Sequence, residues 1–96
     1  MNRSATIALL TQHKDYLVRQ FGVSTLVLFG SVARDGATEH SDVDVLVSFD
    51  GPATSARFFG VQFYLEDLLG CSVDLVTDRA LRPELRPYIE RDAVHV

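Results

Sequence analysis

Residues Leu26–Phe49, LVLFGSVARDGATEHSDVDVLVSF, decide how the chain is read: two apolar runs flank a polar link that carries Gly30, Ser31, Asp42 and Asp44. The first run, rich in Val, Leu and Phe, halts at Gly-Ser, the pattern of a buried strand that ends in a tight turn, with Ser31 able to open a short helix. The second, Val43–Phe49, reads as another strand. Side chains alternate along a strand, so Asp42 and Asp44 point the same way, about 6.7 Å apart along the chain.

Two carboxylates at the mouth of an apolar strand repel each other and resist desolvation, which calls for a cation between them. Mg²⁺ is the simplest candidate, because it takes hard oxygen ligands, usually one or two carboxylates completed by water and substrate phosphates. The Gly-Ser turn supplies the phosphate side: Gly30 lets the backbone approach closely, and Ser31 brings a hydroxyl to a turn whose N–H groups point outward. A metal site and a phosphate site together point to a nucleotide.

Asp74 is a third acid in an apolar run. The segment Cys71–Thr77 reads as a strand with Val73, Leu75 and Thr77 on one face and Asp74 on the other. A charge inside such a strand is unexpected unless paired or liganded, so Asp74 belongs beside Asp42 and Asp44 if their strands are neighbours.

The rest of the chain reads as scaffold. Residues 4–21 place Ile7, Leu10, Leu17 and Phe21 at helical spacing, with Ser4 or Thr6 as the cap and Gly22 as the stop. Thr25–Phe29 is the first strand, residues 31–35 one helical turn, and Gly36–Ser41 a polar loop. Gly51-Pro52 breaks the second strand, and Ser55–Leu69 follows as a helix with Phe58, Val61, Leu65, Leu68 and Leu69 on one face. Phe59 and Phe63 make its other side apolar as well, and extra core beneath the first helix is the expected use of both, ahead of a partner surface. Pro83 and Pro87 restrict residues 79–92 to a broken helix, and Val94–Val96 can form an edge strand.

Composition sets further bounds. The 96 residues suffice for a single domain, residues 1–96, without a second substrate-recognition domain. A formal charge of −4 argues against a broad electrostatic nucleic-acid footprint, since duplex binding relies on Lys and Arg to neutralise phosphates. Cys71 is the one cysteine, so no intramolecular disulfide can form, and a small buried apolar role is expected for it. No apolar run approaches the roughly 20 residues of a membrane span, and the first residues lack a signal-peptide pattern. A soluble cytoplasmic protein is expected.

The order Gly30-Ser31, a ten-residue gap, then Asp42-x-Asp44 resembles the signature of the polymerase-beta-like nucleotidyltransferase superfamily. The whole chain is similar to the minimal nucleotidyltransferases, the antitoxins paired with HEPN-domain toxins. Arg34 after the serine, the helix end LEDLLG, the strand SVDLV and the closing RDAVHV carry that likeness further. Members often have Gly directly after the Arg, whereas Asp35 intervenes here before Gly36.

The resemblance implies an α/β (α+β) fold of the polymerase-beta palm type, a small mixed sheet with helices packed on it. It also implies AMP transfer from Mg-ATP to a hydroxyl, a tyrosine of a HEPN ribonuclease toxin, which that transfer neutralises. Asp42, Asp44 and Asp74 would be the catalytic and metal-binding residues for two Mg²⁺ ions, and Gly30, Ser31 and Arg34 would bind the nucleotide. Plainer roles stand beside these: Ser31 as a helix cap, Asp42 as a turn residue, Arg34 in a surface salt bridge. His13, His40 and His95 show no ligand spacing. Two other functions fit the same residues, a binding module that masks its partner sterically and a small-molecule nucleotidyltransferase that completes its pocket by pairing with a second copy.

Overall fold

The computed structural model describes residues 2–34 and 42–96; the expected loop at Gly36–Ser41, with His40, and the Asp35-Gly36 departure lie outside the described residues. Helix α1 spans Arg3–Phe21. Its cap is Asn2, not Ser4 or Thr6: the Asn2 side chain accepts from the Ala5 N–H at 2.8 Å. A residue outside the helix frees its side chain for the first orphan N–H groups, which Ser4 and Thr6, already helical, cannot do. Gly22 ends the helix in the left-handed region at φ 72°, as its position after Phe21 suggested.

Strand β1 is Val23–Phe29, two residues longer at its start than the apolar run implied, with a register irregularity between Val23 and Thr25. The short helix α2, Gly30–Ala33, follows without a break. Strand β2 is Val43–Phe49 and helix α3 is Ser55–Leu69, both with the bounds read from the sequence. The Thr54 side chain caps α3, and Gly70 closes it at φ 69°. Strand β3, Val73–Thr77, starts two residues later than expected. A 3₁₀ turn, Pro83–Leu85, leads into α4, Arg86–Asp92, so the expected broken helix is a tight turn joined to a short helix. Strand β4 is the pair Val94–His95.

The four strands form one mixed sheet in the order β3-β2-β1-β4. β1 pairs antiparallel with β2 and with β4, and β2 pairs parallel with β3. One face carries Leu26, Leu28, Val43, Val45, Val47, Val73 and Leu75 against Leu10 and Leu17 of α1 and Val61, Leu65 and Leu69 of α3. Period-two alternation on the strands meets helical spacing on two helices there, and all of these side chains are buried. Cys71, half-buried, packs at the edge of this core, in line with its expected small apolar role. The two helices approach closely where Gly60 faces the Phe21 ring, a contact that leaves no space for a Cβ.

Phe59 and Phe63 are not extra core. They are 49% and 60% exposed and stack on each other at 6.1 Å. The α1–α3 contact is made instead by Tyr64, whose hydroxyl meets His13 Nδ1 at 2.6 Å and whose ring stacks on Tyr16 at 4.8 Å. Because α3 offers its Val61, Leu65 and Leu69 stripe to the sheet and Tyr64 to α1, the remaining side faces outward. No helix among the described residues is long and apolar enough to cross a membrane.

Candidate active site

Opposite the helix-covered face, three residues stand in one row across three strands. Phe29 of β1 is the register partner of Asp44 in β2, and Asp44 is the register partner of Asp74 in β3. Val43 and Val45 on either side of Asp44, and Val73 and Leu75 on either side of Asp74, are all buried in the core. Alternation therefore sends both carboxylates to the other face, together. The expectation that Asp74 belongs beside Asp44 is met by this parallel pairing.

Asp44 is half-buried, and its carboxyl is pushed up to about 6 from an ordinary 3.8. Burial is the main cause; the charge of Asp74, a hydrogen bond with Asp74 and the charge of Asp42 act in the same direction, while Arg34 opposes them. Asp42, exposed just before β2, thus adds its charge to the pair without sharing the strand pairing. Like charges on a partly desolvated surface resist ionisation, the electrostatic condition that a cation relieves.

Gly30 sits at φ 76°, and a Cβ placed on it would collide with the Asp44 carboxylate. Only glycine fits that turn, because both the backbone conformation and the space exclude a side chain. The backbone of the β1–α2 turn is therefore pressed directly against the Asp44 carboxylate. Ser31 occupies the second helical position and does not cap α2: the cap position is Phe29, with no side-chain cap bond. The Arg3 Nε donates to the Ala33 carbonyl at 3.0 Å and so satisfies the far end of this short helix.

Arg34 follows α2 and forms an ion pair with Asp92 at the end of α4, 2.9 Å between Nη1 and Oδ2. Arg34 is half exposed while the Asp92 side chain is only 12% exposed, so the acid anchors the base rather than the reverse. The same guanidinium lowers the pKa of Asp44, which sets it within electrostatic reach of the carboxylates. The salt-bridge reading of Arg34 is realised.

Sequence reasoning did not reach three of the residues that build this geometry. Asp92 lies 58 positions from Arg34, a separation that carries no local signal, although it belongs to the closing RDAVHV. Glu66 and Gln62 of α3 hold the first residue of β3: the Val73 N–H donates to Glu66 Oε2 at 3.2 Å, and the Val73 carbonyl accepts from Gln62 Nε2 at 3.5 Å. Their half-buried positions on the edge of an apolar stripe were the available sign. By tying down the residue before Asp74 they set where that carboxylate emerges.

Among the described residues no three His, Cys, Asp or Glu side chains form a ready-made metal cluster. The structure brings Asp44 and Asp74 together as a pair, with Asp42 contributing at longer range. The donor set is all oxygen and the raised carboxyl of Asp44 marks a local excess of negative charge, so the residues fit a hard divalent cation such as Mg²⁺. His13 is bonded to Tyr64 on the helical side, and His95 pairs with Val27 in β1, so neither joins the three acids in a metal-binding group.

Comparison with known proteins gives the family. Residues 10–95 match the model of the nucleotidyltransferase domain family. The protein adenylyltransferase MntA of Thermococcus cleftensis is 40% identical over 89 residues, which cover 93% of this chain and 90% of the relative. A solved structure of a protein named as a candidate minimal nucleotidyltransferase is 37% identical, with a TM-score of 0.76 over 98% of this chain and 95% of that one. The fold also matches a chain from a complex of a tri-AMPylated HEPN toxin with MNT antitoxin from Shewanella oneidensis, with a TM-score of 0.66 at 18% identity over 94% of this chain and 70% of that one. At that identity the likeness concerns the fold alone. With a matching family model over most of its length, a mixed sheet of the family's type and the Gly-Ser turn set against paired aspartates, the chain belongs to the nucleotidyltransferase family, among its minimal members.

Proposed function

We propose that the chain, residues 1–96 acting as one domain, is a cytoplasmic antitoxin that transfers AMP from Mg-ATP to a tyrosine hydroxyl of a cognate HEPN ribonuclease toxin and thereby neutralises it. The single observation that carries this reading is the in-register pair Asp44–Asp74, whose Asp44 lies against the Gly30 backbone. The identity with a protein adenylyltransferase over nine-tenths of both chains supports the reaction class, and a chain of a HEPN toxin–MNT antitoxin complex shares the fold.

Asp42, Asp44 and Asp74 would hold two Mg²⁺ ions. When bound, these ions supply charge neutralisation of the triphosphate and a lowered pKa for the acceptor hydroxyl. The Gly30 backbone and the Ser31 hydroxyl hold the β- and γ-phosphates, where glycine alone permits the close approach. Arg34 stabilises the charge that builds on the leaving pyrophosphate, and Asp92 keeps its guanidinium in place. Asp74, on the outer strand and exposed, takes the proton from the incoming hydroxyl as its oxygen bonds to the α-phosphorus and the bond to pyrophosphate breaks. The acceptor reaches the site on a protein surface, presented beside the exposed Asp74 carboxylate.

The test is incubation with ATP, Mg²⁺ and the protein encoded beside this chain's gene, followed by intact-mass measurement of both. An added AMP mass on the partner, absent with Asp44→Ala, is expected. Neutralisation that persists in Asp44→Ala and Asp74→Ala, with no adduct on any protein, would instead establish a module that masks its partner sterically.

A further inference from the structure

Positions 59, 62, 63 and 66 of α3 follow the i, i+3, i+4, i+7 spacing of a single helix face, which therefore carries Phe59, Gln62, Phe63 and Glu66. Gln62 and Glu66 bond the two backbone groups of Val73, so this face lies at the outer edge of β3. Val73 precedes Asp74, and β3 is the last strand of the sheet on that side. The exposed Phe59–Phe63 pair and the exposed Asp74 carboxylate thus flank one sheet edge. We propose that this stripe is where the protein carrying the acceptor hydroxyl docks, through an apolar patch ringed by Lys and Arg. The inference rests on the nucleotidyl-transfer reading and adds to it the surface that selects the acceptor.

Size is the first argument for that occupant. A protein acceptor covers roughly 800 Å² of each surface, far more than one carboxylate, so it must rest on residues around Asp74. Inward from Asp74 the row leads through Asp44 to Phe29 and the Gly30 turn, which the phosphates take. Outward, no further strand among the described residues covers β3, and there Phe59 and Phe63 offer the stacked aromatic area that interface centres favour. Core packing does not use them: Val61, Leu65 and Leu69 meet the sheet, and Tyr64 meets α1. Charge is the second argument. Asp67 follows Phe63 by one turn and is exposed, Glu66 and Asp74 lie alongside, and the one cation of α3, Arg57, is held by Asp50 at 3.0 Å. A ribonuclease holds RNA phosphates with Lys and Arg, so an acid-rimmed aromatic stripe matches such a partner and repels nucleic acid itself.

The experiment measures calorimetric binding of the purified protein encoded beside this chain's gene, and AMP incorporation into it, for the parent, Phe63→Glu, the double variant Phe59→Ser with Phe63→Ser, and Asp67→Lys. All three positions are exposed, so unfolding temperatures should stay near the parent's. Expected is a rise of roughly thirtyfold or more in Kd, and in KM for the partner, in both phenylalanine variants, with KM for Mg-ATP and the rate at saturating partner unchanged. Asp67→Lys should weaken binding several-fold and flatten its salt dependence. Parent-like affinity in both phenylalanine variants overturns the docking surface and leaves the transfer reading standing. A parent that binds the partner but adds no AMP overturns the transfer reading alone, since the comparison of Kd still decides the surface. If the double variant loses self-association but keeps the partner, the stripe joins two copies of this chain and the inference falls. A parent that binds no such partner overturns both.

Discussion

Asp44 and Asp74 are register partners in the parallel β2–β3 pair and project from the same face of the sheet, where the charge of Asp74 helps to raise the Asp44 carboxyl. Their placement has a direct consequence for stability. The folded-state pKa of Asp44, about 6, lies above its unfolded value near 3.8. The stability linked to Asp44 is thus fully present below the lower value and is lost as pH rises through the upper one. With chelator present, Asp44→Asn should be more stable than the parent by roughly 1–2 kcal/mol at pH 8, after discounting for solvent screening, and the gap should close near pH 4. Chemical denaturation at the two pH values measures it. An equal gap at both would mean that packing, not charge, sets the difference.

The Gly30 turn yields a second expectation. Gly30→Ala forces a side chain into the left-handed region, at a cost of roughly 1–2 kcal/mol, and drives its Cβ onto the Asp44 carboxylate. The variant should fold with a modestly lower unfolding temperature, while its affinity for Mg-ATP falls at least tenfold. Parent-like ATP binding would show that the contact between turn and carboxylate is incidental.

A third concerns Arg34 and Asp92. Removing the arginine leaves a nearly buried carboxylate without its 2.9 Å partner, with, among the described residues, a 3.9 Å approach from Arg91 Nε to compensate. Arg34→Ala should therefore destabilise the fold by roughly 1–2 kcal/mol and weaken Mg-ATP binding. Adding Asp92→Asn should restore most of the stability and none of the binding. If the double variant also recovers binding, Arg34 serves the fold alone.

How far the sequence goes can be judged residue by residue. The bounds of β2 and α3 were legible because Gly51-Pro52 and Gly70 punctuate clear periodicities. The neighbourhood of Asp44 and Asp74 was legible because acids are rare between buried valines and leucines. Asn2 was missed as a cap because three polar residues compete within five positions, and the choice depends on where the helix starts. Phe59 and Phe63 were misjudged because periodicity marks a face as apolar without saying which neighbour covers it. The Arg34–Asp92 pair and the Val73 clamp from Glu66 and Gln62 join residues from different elements, and only the packed chain brings them together.

Asp74→Asn offers the most direct test of the central claim, that the paired carboxylates perform the transfer. Asp74 is exposed and its backbone pairing is untouched by the change, so the variant should fold as the parent does. The quantity to measure is the rate of AMP incorporation into the partner at saturating Mg-ATP. A fall of roughly 10²–10⁴-fold, with the partner still bound, is the expected result for loss of a general base at the reacting atoms. A rate within a few-fold of the parent's would contradict the account.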